Sequence, residues 1–323
     1  MNFRKISLAQ IFVPERNVRI TFGDPPEQLE NSIREIGVLN PIHVRPQNDR
    51  FAVVLGFSRF KILSKLGAEK TEGRIVSSAT QDRDYFLINI YDNLSQREFQ
   101  PLEKAVILEK AGHFFTEEDV IQKIMPVIGM NPSAKNYRRF VKLMSLPPQA
   151  LNDLREGRFN LKNATYLLRF SPDEQKSIVD FLNKLLIGVN LRKEIMENLY
   201  ECSRREGCSA SEIIRSPEIN VLLKQKKSLK EKVENIRGFL RKKRYPRLSE
   251  AEQKFDDFRS SLKTPPQISI QAPPFFENRD YKVTVRFQNP DELRDRLNKL
   301  TEMMSSEKNV SRFENIMNTS IDE

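Results

Sequence analysis

The spacing of apolar residues changes twice along this 323-residue chain, and that change constrains its fold more than any other feature. Near the start, Ile42 and Val44 alternate with polar neighbours, and Phe51-Ala52-Val53-Val54-Leu55 is a short apolar run. Both read as strands, with Asn48-Asp49 as the turn into the second. Leu29, Ile33 and Ile36 instead fall at i, i+4 and i+7, a helical face that Gly37 closes. A second helix follows Gly56, with Ile62, Leu63 and Leu66 inward, and stops at Gly67. Residues 1–100 therefore form a small α/β module whose strand-to-helix turns can seat a phosphate.

From Pro101 to about residue 200 the strand signals vanish. Pro101 suits a first helical position, and Leu102, Ala105, Val106 and Leu108 continue an amphipathic pattern. Thr116, followed by Glu117-Glu118-Asp119, reads as a helix N-cap with an acidic first turn leading to Val120, Ile121 and Ile124. After a break at Gly129 to Pro132, Ser133 caps a helix with Tyr137, Phe140, Val141 and Met144 inward, while Lys135, Asn136, Arg138, Arg139 and Lys142 point elsewhere. Two helices across a short turn, the second basic, suggest a helix-turn-helix in residues 101–200.

Pro265-Pro266 marks the second change. Ile268 and Ile270 alternate with polar residues, as do Tyr281, Val283, Val285 and Phe287, giving two strands joined by the loop Ala272 to Asp280. Asn289 caps a last helix with Pro290 at its first position and Leu293, Leu297 and Leu300 as its stripe. The tail from Ser305 reads as polar and frayed. A β-β-α unit over residues 264–323 is too small to hide both apolar faces, and pairing with a second copy solves that. The class is α+β, with residues 201–263 as a basic helical connector. Hydrophobic residues are only 38% and charged residues 30% of the chain, which favours several small domains over one deep core.

The charge is localised. Lys and Arg number 54 against 44 Asp and Glu, and the segment 224–247 alone holds eleven basic residues against two acidic ones. Such a block is either a polyanion contact or a solvated helical face. No stretch approaches the roughly 18 apolar residues of a membrane span, and the first residues lack the core of a secretory signal, so a cytoplasmic protein without a membrane partner is expected. Cys202 and Cys208 supply no disulfide framework and too few ligands for a metal site, with only His43 and His113 to join them. They are expected as small buried side chains on a helix.

Three stretches carry a family resemblance. Leu29–Pro46 (LENSIREIGVLNPIHVRP), Phe51–Gly67 (FAVVLGFSRFKILSKLG) and Asp92–Ala105 (DNLSQREFQPLEKA) resemble, in order and spacing, the N-terminal domain of the ParB/RepB-type partition family. The resemblance implies that Val38, Asn40 and Pro41 lie against the cytosine of CTP. It also implies that the turn opened by Gly56 receives the phosphates, with Arg59 and Lys61 adding charge. Here Gly56-Phe57-Ser58-Arg59 stands where the family has Gly-Glu-Arg-Arg, so a Glu and one Arg are missing. Asp92 and Asn93 fall on the family's Glu-Asn pair, which holds Mg²⁺ against the phosphates; the next basic residue of the family falls on Gln96, with Arg97 beside it.

The resemblance continues through Thr116–Pro147 and the helices after it, although the turn is longer here and contains Pro126 and Pro132. It places DNA contacts on Ser133, Lys135, Asn136, Arg138 and Arg139, with Asn136 and Arg139 reading bases and the others holding phosphates. Val283–Leu300 is similar to the family's dimerisation hairpin and helix. The function implied is a homodimeric, CTP-gated clamp on a centromere-like site in double-stranded DNA, at the nucleoid and with a ParA-type ATPase as partner. A weak CTPase activity is compatible with it. The first alternative is a ParB-like transcription regulator or nucleoid-occlusion protein with little or no nucleotide hydrolysis, which the loss at Phe57 and Ser58 favours. The second is a free-serine kinase on the same N-terminal fold, for which no catalytic Glu can be placed. Sulfiredoxin chemistry would need a Cys in the Gly56 turn, and a two-metal nuclease would need a carboxylate cluster; neither is present.

Overall fold

Five short strands make one mixed sheet near the amino end of the protein, represented by a computed structural model that describes residues 3–15, 18–95, 97–278 and 280–317. They are β1 (Phe3–Ser7), β2 (Ile11–Phe12), β3 (Ile42–Gln47), β4 (Arg50–Leu55) and β5 (Lys70–Ile75), in spatial order β1-β5-β3-β4-β2. β3 and β4 are a hairpin across Asn48-Asp49, and β5 lies parallel to β3 with Ile42 opposite Gly73 and His43 opposite Arg74. β1 adds antiparallel to β5. The chain divides into two compact units, Met1–Lys193 and Glu194–Glu323.

Helices α1 (Glu27–Ile36) and α2 (Phe57–Lys65) meet through Ile33, Ile62 and Leu63, with Leu29 and Val38 packed against them. Fully burying each of the three central side chains contributes about 1.5–3 kcal/mol. Two of the residues expected inward are not: Ile36, the last residue of α1, is 61% exposed, and Leu66, the cap after α2, is 37% exposed. Both ends are closed by glycines at positive φ, Gly37 at +78° and Gly67 at +69°. α3 (Asp82–Leu94) buries Phe86 and Ile90 completely, and the buried Asn89 amide donates to the Val54 carbonyl of β4 at 3.0 Å. That bond fixes where α3 ends relative to the sheet.

The rest of this unit is helical. α4 (Pro101–Ala111) starts with a capping box between Gln100 and Glu103. α5 (Glu117–Asp119), a π-helical turn (Val120–Ile124) and α6 (Met125–Val127) follow, the Thr116 hydroxyl accepting from the Asp119 amide. α7 (Ala134–Leu143) packs against α4 through buried Phe140 and Leu143. α8 (Pro148–Arg155), α9 (Leu161–Leu167) and α10 (Pro172–Lys184) complete it.

The second unit comprises α11 (Val189–Glu206) from Glu194 on, α12 (Ala210–Ile214), α13 (Pro217–Lys224), α14 (Leu229–Arg244) and α15 (Pro246–Ser261), then β6 (Ile268–Gln271), β7 (Lys282–Val285), α16 (Pro290–Met304) and α17 (Glu307–Met317). The basic segment is not a solvated linker: α14 buries Val233, Ile236 and Leu240. Several of its charges are spent internally, with Arg237 forked onto Glu194, Arg241 forked onto Glu252 and Lys243 paired with Glu206. Cys202 is fully buried, its thiol donating to the Leu240 carbonyl at 3.5 Å, whereas Cys208 is half-buried.

At the carboxyl end the hairpin and capped helix form as expected, except that β7 ends at Val285, short of Phe287. The frayed tail does not hold over residues 305–317; residues 318–323 lie outside the described residues. α17 packs on α15, where Phe313 stacks on Phe258 at 5.2 Å and meets Tyr281 edge-on at 4.9 Å, and Ile316 is buried beside them. Burial of these aromatic faces is what orders a segment that looked polar. Val283, Phe287 and Leu297 remain 46%, 51% and 45% exposed.

Candidate functional site

A cavity of about 600 Å³ opens on the amino-terminal module. It is lined by the turn after α1, the turn between β4 and α2, and the end of α3, so the three stretches singled out in the sequence meet in one place. Val38, Asn40, Pro41, Gly56, Arg59, Asp92 and Asn93 all line it.

Local geometry explains how. Gly56 has φ +85°, a conformation that glycine adopts without strain, and it turns β4 directly into α2. The first-turn amides of Phe57, Ser58 and Arg59 are thereby left without intrahelical acceptors at the cavity wall. A Cβ on Gly56 would stand 3.1 Å from the Arg59 guanidinium and from Ile42. Arg59 reaches back across the cavity, its Nη1 donating to the carbonyls of Asn40 and, at 3.3 Å, Pro41. Burial lowers the Arg59 pKa and the nearby Asp92 opposes that shift, so the cation stands partly desolvated.

Lys61 is elsewhere. Its ammonium pairs with Asp24 at 2.6 Å and it does not line the cavity. Two positions along a helix is about 200° of rotation, so Arg59 and Lys61 cannot face the same space.

The wall holds residues that the sequence reading missed. His43, Arg74 and Arg97 line it, with Phe3 at one edge. Burial is the main cause that lowers the His43 pKa, helped by Arg74 and Arg59 and opposed by Asp92, so the site favours the neutral imidazole. Arg97 is forked onto Glu103 at 2.6 Å twice. Alternation on β3 could have found His43, since Ile42 and Val44 take the opposite face. Gln96 lies outside the described residues.

Asp92 is the only carboxylate among the described lining residues, against three guanidinium groups, which makes this a site for an anion. Among the described residues no group of three or more His, Cys, Asp or Glu could hold a metal alone. Asn93 donates its amide to the Asn89 carbonyl at 2.9 Å, which leaves its oxygen free as a ligand beside Asp92. One carboxylate and one amide oxygen fit Mg²⁺ that arrives with phosphates, and not a free-standing metal site.

In the helical part, Ser133 caps α7 by accepting from the Asn136 amide at 3.3 Å, while Lys135, Arg138 and Arg139 are exposed and Asn136 half-buried. Arg138 is engaged by Glu117 at 3.0 Å, and the Arg139 guanidinium lies 5.5 Å over Phe140. Among the described residues no helix is long and apolar enough to cross a membrane.

The amino-terminal module is thus a mixed sheet with an anion-seeking cavity at its strand-to-helix turn, followed by capped helices of which α7 is basic. Residues 2–94 match the ParB N-terminal domain, which makes this part of the chain similar to ParB-type partition proteins. It is 28% identical over 176 residues to the chromosome-partitioning protein Spo0J of Thermus thermophilus, covering 53% of this chain and 61% of that one. It is 26% identical over 203 residues to the nucleoid occlusion protein of Bacillus cereus, covering 61% and 67%. The matches thus span about three fifths to two thirds of these relatives. Among solved structures, the truncated ParB of Caulobacter crescentus complexed with CTP-gamma-S is 24% identical, with a TM-score of 0.27, over 53% of this chain and 94% of that one.

Proposed function

We propose that the protein is a DNA-segregation factor: a homodimer that recognises a centromere-like site in duplex DNA and is gated by CTP bound with Mg²⁺ in the amino-terminal cavity. One observation carries this reading. Asn40, Gly56, Arg59 and Asp92, from three separated stretches, line a single cavity with an excess of positive charge.

In the proposed mode of action, the backbone of Val38 to Pro41 reads the base, the free amides after Gly56 and the Arg59 guanidinium hold phosphate oxygens, and Asp92 with Asn93 takes Mg²⁺. The bound cation would screen the phosphates from Asp92. The preference for cytosine comes from the family resemblance. Nucleotide shifts the protein towards a closed ring around DNA only in so far as it binds that form better than the open one. DNA is addressed through α7, with Lys135 and Arg138 on phosphates and Asn136 and Arg139 on base edges. The exposed apolar residues Val283, Phe287 and Leu297 form the dimer face, which would let two α7 helices address a palindromic site. A ParA-type ATPase partner and a place at the nucleoid follow from the same family analogy.

Calorimetric titration with CTP and Mg²⁺ tests the nucleotide, and no heat up to millimolar concentration would sink it. Leu297→Glu tests the dimer: it is expected to give monomers in sedimentation, and an unchanged tight dimer would move the interface. Removing everything after Thr264 is a poorer test, because it would strip the cover from Phe258 and Leu262.

A regulator or nucleoid-occlusion role without hydrolysis is the second reading. Phe57 and Ser58 favour it, since they stand where the family has Glu and the first of its two Arg in the phosphate turn. Phosphate release from CTP with and without DNA separates the two. A kinase reading finds no support in a cavity whose one carboxylate, Asp92, stands beside an arginine.

A further inference from the structure

The sheet carries one row of side chains across four strands. β1 pairs with β5 so that Phe3 faces Arg74, β5 pairs with β3 so that Arg74 faces His43, and β3 pairs with β4 so that His43 faces Leu55. Residues directly opposite each other share a face of the sheet, and all four of these line the cavity. Arg74 is thus built into the floor by strand register and not placed there by a flexible loop.

Its electrostatic position is unusual. The Arg74 side chain is half-buried and makes no hydrogen bond or ion pair among the described residues, whereas Arg97 is paired with Glu103 and Arg59 spends one of its nitrogens on the Asn40 and Pro41 carbonyls. Arg74 and Arg59 both act on the imidazole of His43, as does Asp92, so all three lie within electrostatic reach of that ring. A guanidinium held on a rigid sheet with its five donors unused is costly to desolvate and is matched by a phosphate fork.

We propose that Arg74 is a phosphate-binding residue of this chain, supplying from the floor of the cavity a guanidinium in place of the one the α2 turn lacks at Ser58. The inference rests on the nucleotide reading above and adds a residue to it. The ligand chemistry is that of a polyphosphate chain spanning from the Gly56 amides to Arg74. Phe3, opposite Arg74 on β1, lines that end of the cavity and is 54% exposed.

The test is calorimetric titration of the full chain with two probes, CTP·Mg²⁺ and inorganic tripolyphosphate, on the wild type, Arg74→Gln and Arg74→Lys. Removing a charged hydrogen-bonding partner of this kind weakens binding by about 10- to 100-fold. The expected result is that loss for Arg74→Gln with both probes, and a smaller loss for Arg74→Lys, which keeps the charge but not the fork. Cytidine should bind all three proteins alike. Circular dichroism melting checks that the variants are folded, and Arg74→Lys serves if Arg74→Gln is not. If CTP binds the wild type and the folded variants equally, the role of Arg74 is overturned while the nucleotide reading stands. If tripolyphosphate binds in an Arg74-dependent way but CTP does not, the residue is upheld and the nucleotide reading fails. If neither probe binds the wild type, both fail.

Discussion

The Arg59 guanidinium donates to the backbone carbonyl of Asn40. A residue from the first turn of α2 thereby closes onto the turn that follows α1, and two motifs that are 19 positions apart in sequence become one wall. Arg59 is consequently both a strut and a charge. Its two acceptors are uncharged carbonyls, so its positive charge is left over for a ligand.

Replacing Arg59 by Ala should therefore do two separable things. Losing two hydrogen bonds, the one to Asn40 exposed and the one to Pro41 partly buried, costs about 1 kcal/mol of stability, read by urea unfolding. It should also abolish CTP binding at concentrations that saturate the wild type. Arg59→Lys keeps the charge without the fork, and should recover part of the binding and less of the stability. Full stability in Arg59→Ala would show that the link to Asn40 does not support the turn.

Asp92→Asn makes a different prediction. The substitution removes the one carboxylate among the described lining residues, so repulsion of phosphate falls while Mg²⁺ coordination weakens. CTP affinity in EDTA should rise or stay level, and the gain on adding Mg²⁺ should shrink at least tenfold, about 1.4 kcal/mol. A variant that keeps the whole Mg²⁺ gain would release Asp92 from the proposed role.

Much of this site was legible in the sequence, and the limits have physical causes. Gly37, Gly56 and the Asp92-Asn93 pair announce themselves because turns and helix ends need particular residue types, and each lies where it was expected. β5 was missed because its inward residues are Thr71 and Gly73, which give no apolar alternation. Gly73 is small because the Ile6 side chain of β1 would sit 2.7 Å from any Cβ there. Missing the strand also hid Arg74. Lys61 was misplaced by reading linear proximity to Arg59 as spatial proximity. α17 went unseen because Phe313 and Ile316 are sparse among polar residues, and their role depends on the faces of Phe258 and Tyr281, which are distant in sequence.

For DNA, the ion pair between Arg138 and Glu117 sets the order of effects along α7. Arg139→Ala, on the exposed face, should weaken binding to a cognate site by about 1–3 kcal/mol and relax its specificity. Lys135→Ala should weaken cognate and random DNA alike and lower the salt slope by about one. Arg138 must leave Glu117 to reach a phosphate, so Glu117→Gln should tighten binding and steepen the salt dependence. Fluorescence anisotropy across a salt series reads all three. A Glu117→Gln protein that bound DNA no better would mean that Arg138 stays with its own helix pair.

The two cysteines should react very differently. Cys202 is fully buried, and desolvation pushes its thiol pKa up to about 11, well above the usual thiol range, whereas Cys208 is raised less and is partly open to solvent. The thiolate is the nucleophile, so iodoacetamide at pH 8 should modify Cys208 first and Cys202 only through unfolding. Because the folded protein holds the Cys202 proton more tightly than the unfolded chain, its contribution to stability is complete below about pH 9 and is lost as the pH climbs towards about 11. Chemical denaturation of Cys208→Ser from pH 8 to 11 should show a decline that Cys202→Ala, in the same background, reduces. Peptide mass mapping that found Cys202 alkylated as fast as Cys208 in native buffer would mean that α11 and α14 open readily around Leu240.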